Sequence, residues 1–154
     1  MEFDVFEMHY TKKEVQEAKI SCTPVDVRYF EEYKRIYNEC FYDMRKALER
    51  EPVNVLADFK QIEEKAKDIY LLIENGEICG SVACYENEVD DLVVNKKFQH
   101  MGYGKQMLFW AMAKIRERSE APIKLHVVDW NTRAYEMYKK AGFETVNVLH
   151  IGGK

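Results

Sequence analysis

The chain has 154 residues, 47% of them apolar and 32% charged, and a formal net charge of −4. Such a length holds one domain with a full core and is short for two. No apolar run approaches the roughly 18 residues of a membrane span, the start MEFDVFEMHY is acidic where a signal peptide is positive, and no Lys/Arg block offers the basic surface that nucleic acid requires. A single cytoplasmic domain over residues 1–154 is expected, with neither a membrane nor a nucleic acid as partner.

Residues 3–10, FDVFEMHY, alternate loosely and predict a first strand. Thr23-Pro24 leads into Asp26, a candidate N-cap for a long helix from about Val27 to about Glu49. Its buried face is Phe30, Tyr33, Tyr37, Phe41, Met44 and Leu48, spaced three and four apart. It should stop before Pro52, because proline disfavours helical geometry in the residue preceding it. Asp58 is placed to cap a second helix reaching about Lys67. IYLLIE, Asn75-Gly76 and EICGSVACYE then give the strongest kind of two-residue hairpin signal. Another strand, Glu88 to Val94, precedes a helix of about four turns from Gly102 to Arg118, with Met107, Leu108, Ala111, Met112 and Ile115 buried. After Pro122, IKLHVV alternates, Asn131 can cap the helix TRAYEMYKKA, Gly142 sits where a left-handed C-terminal cap belongs, and TVNVLHI closes as the last strand.

Cys22, Cys40, Cys79 and Cys84 contain no C-x-x-C pair, and His9, His100, His126 and His150 contain no H-E-x-x-H. Buried reduced thiols and no metal are expected.

The stretch FQHMGYGKQML, Phe98 to Leu108, puts Gly102 and Gly104 between a strand and a helix. A Walker loop fails at Gln99 and Gln106, and G-x-G-x-x-G fails at Met107. What remains is Q-x-x-G-x-G opening a helix, where unpaired N–H groups face outward at the positive end of the dipole and suit a pyrophosphate. Lys105 adds charge there. Downstream lies N-x-x-A-x-x-x-Y-x-x-x-G-F, read as Asn131, Ala134, Tyr138, Gly142 and Phe143. Ala134 and Tyr138 share a helix face, so the small residue leaves space beside the phenol, and Tyr135 competes for the same assignment.

Val94 to Gly104 resembles the acetyl-coenzyme A motif of the GNAT N-acetyltransferases, R/Q-x-x-G-x-G/A, and Asn131 to Phe143 resembles the family's following segment. The match is close over residues 69–143, while the first 68 residues agree only in coarse pattern. Gln99 stands where arginine is frequent, and His100 where a further glycine is frequent. The resemblance implies a mixed α/β (α+β) fold with a central, mostly antiparallel twisted sheet flanked by helices, in the order β-α-α-β-β-β-α-β-α-β.

It also implies a mechanism, with acetyl-coenzyme A as cosubstrate and no metal. Backbone groups of Leu92, Val93 and Val94 would pair the pantetheine arm where this strand diverges from the next, and a backbone N–H near Val94 would polarise the acetyl carbonyl. Amides of Gln99, His100, Met101, Gly102, Tyr103, Gly104 and Lys105 would cradle the pyrophosphate, and Asn131 would hydrogen-bond the arm. Tyr138 is the implied acid and Glu88 the implied base, with Asp90 and Asp91 as rivals. Strand alternation puts Glu88 and Asp90 on one face unless a bulge intervenes.

The acceptor is expected to be a small-molecule or peptide amine, chosen by the first helices, where Tyr29, Tyr33 and Tyr37 stand four apart beside Phe30 and Phe41, and by the loop around Pro52. A homodimer is admitted. The rival readings are a noncatalytic acyl-coenzyme A binding module and a helix-presenting interaction domain, the latter leaving both motifs unexplained.

Overall fold

The computed structural model describes residues 2–47 and 56–152. Its elements are β1 (Glu2–Tyr10), β2 (Thr23–Pro24), α1 (Phe30–Ala47), β3 (Ile69–Glu74), β4 (Glu77–Tyr85), β5 (Glu88–Val94), α2 (Tyr103–Arg116), β6 (Ile123–Val128), α3 (Thr132–Ala141) and β7 (Glu144–Gly152). The sheet runs β2-β3-β4-β5-β6-β1-β7. Among the described residues, five of its pairings are antiparallel and only β5 with β6 is parallel. This is the mixed sheet with flanking helices that the sequence led us to expect.

The β6-α3-β7 crossover leaves a place one strand wide, and β1 fills it, antiparallel to β6 on one side and to β7 on the other. One apolar core, built on Met8, Leu72, Met107, Leu108, Met112 and Phe143, lies beneath α2 and α3. A second, with Phe30, Tyr33, Ile36, Ile69 and Val93, lies beneath α1 on the opposite face. Among the described residues, no helix is long and apolar enough to cross a membrane.

Local signals place most elements. Asp26 caps a short 3-10 turn, Val27–Tyr29, that leads into α1. The expected helix end near Glu49, Leu48 and the loop around Pro52 lie outside the described residues. The second helix is a correction: Asp58 and Gln61 close a capping box, but over two 3-10 segments, Phe59–Gln61 and Glu63–Asp68, rather than one α-helix. Ile62, at φ −119°, breaks the run between them and is buried in the α1 core. Thr23-Pro24 is itself a short outer strand against Tyr70 and Leu71, a position that tolerates proline because one edge needs no donor.

Gly80 on β4 sets where α2 rests. A Cβ there would fall 2.5 Å from both Met107 Cε and the Val93 carbonyl oxygen, so only glycine lets α2 press this closely on the sheet.

Candidate active site

Strands β5 and β6 pair only at Glu88 and Lys124, where the Lys124 N–H donates to the Asn87 carbonyl at 2.9 Å. Beyond that point a cleft of about 570 Å³ opens, walled by Leu92 and Val94 of β5, the turn from Phe98 to Lys105, and Asn131, Ala134, Met137 and Tyr138. A bulge shapes its wall. Asp90 opposes Ala83 and Val93 opposes Ser81, so Asp91 and Leu92 share a single partner position, with Asp91 in the left-handed region at φ 48°. Val89 packs with the α2 core before the bulge, whereas Leu92 and Val94 pack there after it. Val93 turns its side chain to the α1 core and leaves only its backbone for the cleft.

The glycine turn follows a fixed approach. Buried Asn95 donates from Nδ2 to the Ile78 carbonyl at 2.9 Å, and its N–H donates to the Cys79 carbonyl at 2.8 Å. The Gln99 side chain turns back, Nε2 donating to the Val94 carbonyl at 3.1 Å, so Gln99 braces the loop and its main chain is what it offers the cleft. His100 and Gly102 both adopt left-handed backbone, at φ 68° and 87°. That geometry explains why glycine suits position 100 and why histidine, which tolerates it better than most side chains, can replace it. The His100 ring contacts the Arg133 guanidinium. Gly102 caps α2 with no side-chain hydrogen bond, leaving the first-turn N–H groups unpaired within the helix. Met101 is 67% exposed and is not part of the cleft wall.

Asn131 caps α3, its Oδ1 accepting from the Ala134 N–H at 3.3 Å, and it forms part of the cleft wall. Tyr138 is buried and lines the cleft, with its ring edge-on to Phe143 at 6.1 Å. Burial, and then the charge of Asp90, push the phenol up to about 12, so it keeps its proton at neutral pH. Tyr135 packs on Phe6 instead, at 5.2 Å, and is absent from the cleft wall. Of the two tyrosines, Tyr138 is the one that lines the cleft.

Glu88 does not line the cleft. It sits at the foot of the splay, with Oε2 2.9 Å from His126 Nδ1 and Oε1 3.9 Å from Lys124 Nζ. Glu88 and Asp90 share the α1 side of β5, opposite Tyr85 and Ala83, as alternation requires. The bulge then adds Asp91 to that side. The Asp90 carboxyl is held above the usual Asp range, by desolvation first and then by the Glu88 charge, against the Asp91 N–H that donates to it at 2.8 Å. Among the described residues, no group of three or more His, Cys, Asp or Glu could hold a metal ion.

The Acetyltransferase (GNAT) family profile matches residues 30–143. The chain belongs to the GNAT acetyltransferase family. Its fold is similar to that of a GNAT-family acetyltransferase from Colwellia psychrerythraea (10% identity, TM-score 0.72, 97% of this chain and 55% of that one). It is similar also to a GCN5-related N-acetyltransferase from Sphaerobacter thermophilus (16%, TM-score 0.69, 95% and 49%) and to the apo form of YjaB from Escherichia coli (15%, TM-score 0.59, 85% and 95%). The chain thus spans about half the length of the first two. No curated protein sequence matches it.

Several residues of this GNAT domain's site escaped sequence reasoning. Arg133 lines the cleft, and Lys140 lines an adjoining recess that shares Lys105 and Arg133 with it, extending the cationic surface beyond the glycine turn. Arg133 directly follows the capped start of α3, and that position was the only signal available for it. His126 is brought to Glu88 by strand pairing, which leaves no local mark in the sequence.

Proposed function

We propose that the chain transfers an acetyl group from acetyl-coenzyme A to a primary amine by direct attack in a ternary complex. The observation that carries this is the uncapped start of α2, opening at Gly102 into a cleft of about 570 Å³ beside the splayed end of β5. The lining fits the cosubstrate. A Cβ at Gly102 would meet nothing within 4 Å, so the space before these N–H groups is open. Lys105 and Arg133 supply positive charge for phosphate, and Leu92, Val94, Phe98 and Met137 offer an apolar bed for the arm.

Acetyl-coenzyme A supplies an acyl group on a thiol that can leave. The chain's own groups do the rest. Main-chain groups of Leu92, Val93 and Val94 orient the arm, and an N–H near Val94 polarises the carbonyl. Amides from Gln99 through His100, Met101, Gly102, Tyr103 and Gly104 to Lys105 hold the pyrophosphate, and the Asn131 amide donates to the arm. The acceptor nitrogen gives up a proton to Glu88 through water as its bond to carbon forms. The carbon–sulfur bond breaks, and the sulfur gains the Tyr138 proton, which the phenol later recovers from solvent.

Calorimetric titration with acetyl-coenzyme A, followed by thiol release across a panel of amines, tests the reading. Binding with amine-dependent thiol release is the expected result. Binding without release from any amine would leave a noncatalytic acyl-coenzyme A module, and absence of binding would remove the cleft's assignment altogether.

A further inference from the structure

A second cavity, of about 210 Å³, lies on the opposite face of the sheet beneath α1, lined in part by Tyr33, Tyr37, Lys65, Tyr85 and Asp91. Asp91 faces this cavity and the next residue, Leu92, faces the cofactor cleft. The β5 bulge is therefore a wall that both cavities share, one residue thick, close to where β5 leaves β6.

The lining is selective. Tyr33 and Tyr37 stack at a tilt, with centroids 5.8 Å apart, and Tyr85 stands across from them with its ring under the Lys65 ammonium at 5.5 Å. The protein's own alkylammonium thus occupies the position a ligand cation would take over an electron-rich face. Among the described residues, the Tyr85 hydroxyl is buried without a hydrogen-bond partner, and a buried polar group of that kind is open to a ligand's hydrogen bond. Asp91 supplies a carboxylate inside the cavity, while Asp90 and Glu88 place two more on the same side of β5 outside it. The volume is below the roughly 300 Å³ at which drug-sized ligands begin to fit.

Resting on the acetyltransferase reading, we propose that the acceptor is an unbranched aliphatic diamine or polyamine. One ammonium would be anchored among Tyr33, Tyr37, Tyr85 and Asp91 after displacing the Lys65 side chain, and the other amine presented past the bulge toward Glu88 and Asp90.

The test is steady-state thiol release with a linear diamine, the monoamine of equal length, a lysine-containing peptide and a free amino acid, on the wild type and two variants. The diamine should have the highest kcat/KM. Asp91→Asn, which keeps a residue tolerant of left-handed backbone, should raise KM for the diamine about 10-fold more than KM for the monoamine. Lys65→Met should lower the diamine KM, because the resident competitor is gone; a merely structural lysine would give no such gain. Equal use of monoamine and diamine, preference for the amino acid or the peptide, or a diamine KM unmoved by both variants would overturn the proposal while leaving acetyl transfer intact. Loss of acetyl-coenzyme A binding or of all amine-dependent release would instead sink both readings.

Discussion

Glu88 Oε2 lies 2.9 Å from His126 Nδ1, across the one point where β5 and β6 still touch. The contact fixes the carboxylate at the foot of the cleft, and in the proposed reaction it would give a proton taken from the acceptor a second group to pass to. Replacing Glu88 with Gln should lower kcat by roughly 10²-fold and flatten the acid limb of the pH–rate profile. His126→Gln should move the same limb with a smaller loss in kcat and no change in acetyl-coenzyme A affinity. A profile untouched by Glu88→Gln would hand the base role to Asp90, Asp91 or solvent.

Tyr138 combines a cleft-facing position with a phenol that burial pushes up to about 12. It keeps its proton at neutral pH, and in the proposed reaction it would donate that proton to the leaving sulfur. Tyr138→Phe keeps the ring and its edge contact with Phe143, so the fold should hold. We expect kcat to fall by roughly 10²-fold or more with acetyl-coenzyme A affinity nearly unchanged. Equal losses in both would make Tyr138 a binding residue only.

What could be read in advance follows the range of each interaction. The Asn75-Gly76 hairpin and α3, with Asn131 and Gly142 as its caps, are specified by contacts within a few residues, and both appear where the sequence places them. The glycine turn is local as well. The insertion of β1 between β6 and β7 depends on pairing more than a hundred residues apart, and nothing near either strand encodes it. The broken 3-10 run after Asp58, with Ile62 and Ala66 buried beneath α1, departs from what local propensity alone suggests. Alternation correctly joins Glu88 to Asp90, whereas Asp91 reaches that side only through a bulge with no glycine to announce it.

Asp90 carries a stability signature with a definite sign. Its folded carboxyl titrates above the ordinary 3.8, so the native state binds the proton more tightly than the unfolded chain does. Stability from this group is therefore highest at acid pH and is lost as pH rises from 3.8 through the raised folded value. Asp90→Asn retains an oxygen to accept the Asp91 N–H and removes the charge. The variant should melt slightly higher than the wild type at pH 7, with the advantage vanishing near about pH 3. The gain is small, because the side chain keeps solvent contact. A variant that melts lower at pH 7 would show that the carboxylate is stabilised by its neighbours.

Gly102 separates backbone strain from ligand space. Its φ of 87° is left-handed, and a Cβ there would meet no protein atom within 4 Å. Alanine should therefore cost only the conformational penalty, roughly 1–2 kcal/mol, or a melting shift of a few degrees for a chain of this size. Acetyl-coenzyme A affinity should fall much further, because the new methyl enters the space where phosphate oxygens must approach the α2 amides. Gly80→Ala gives the opposite pattern: its methyl would strike Met107 and the Val93 carbonyl, so stability should drop by about 1–3 kcal/mol or more. Its effect on cofactor binding should come through displacement of α2 and of the Val93 main chain. Calorimetry and thermal melts on the two variants distinguish these patterns, and equal losses of affinity and stability in Gly102→Ala would show that the turn shapes the chain rather than the ligand site.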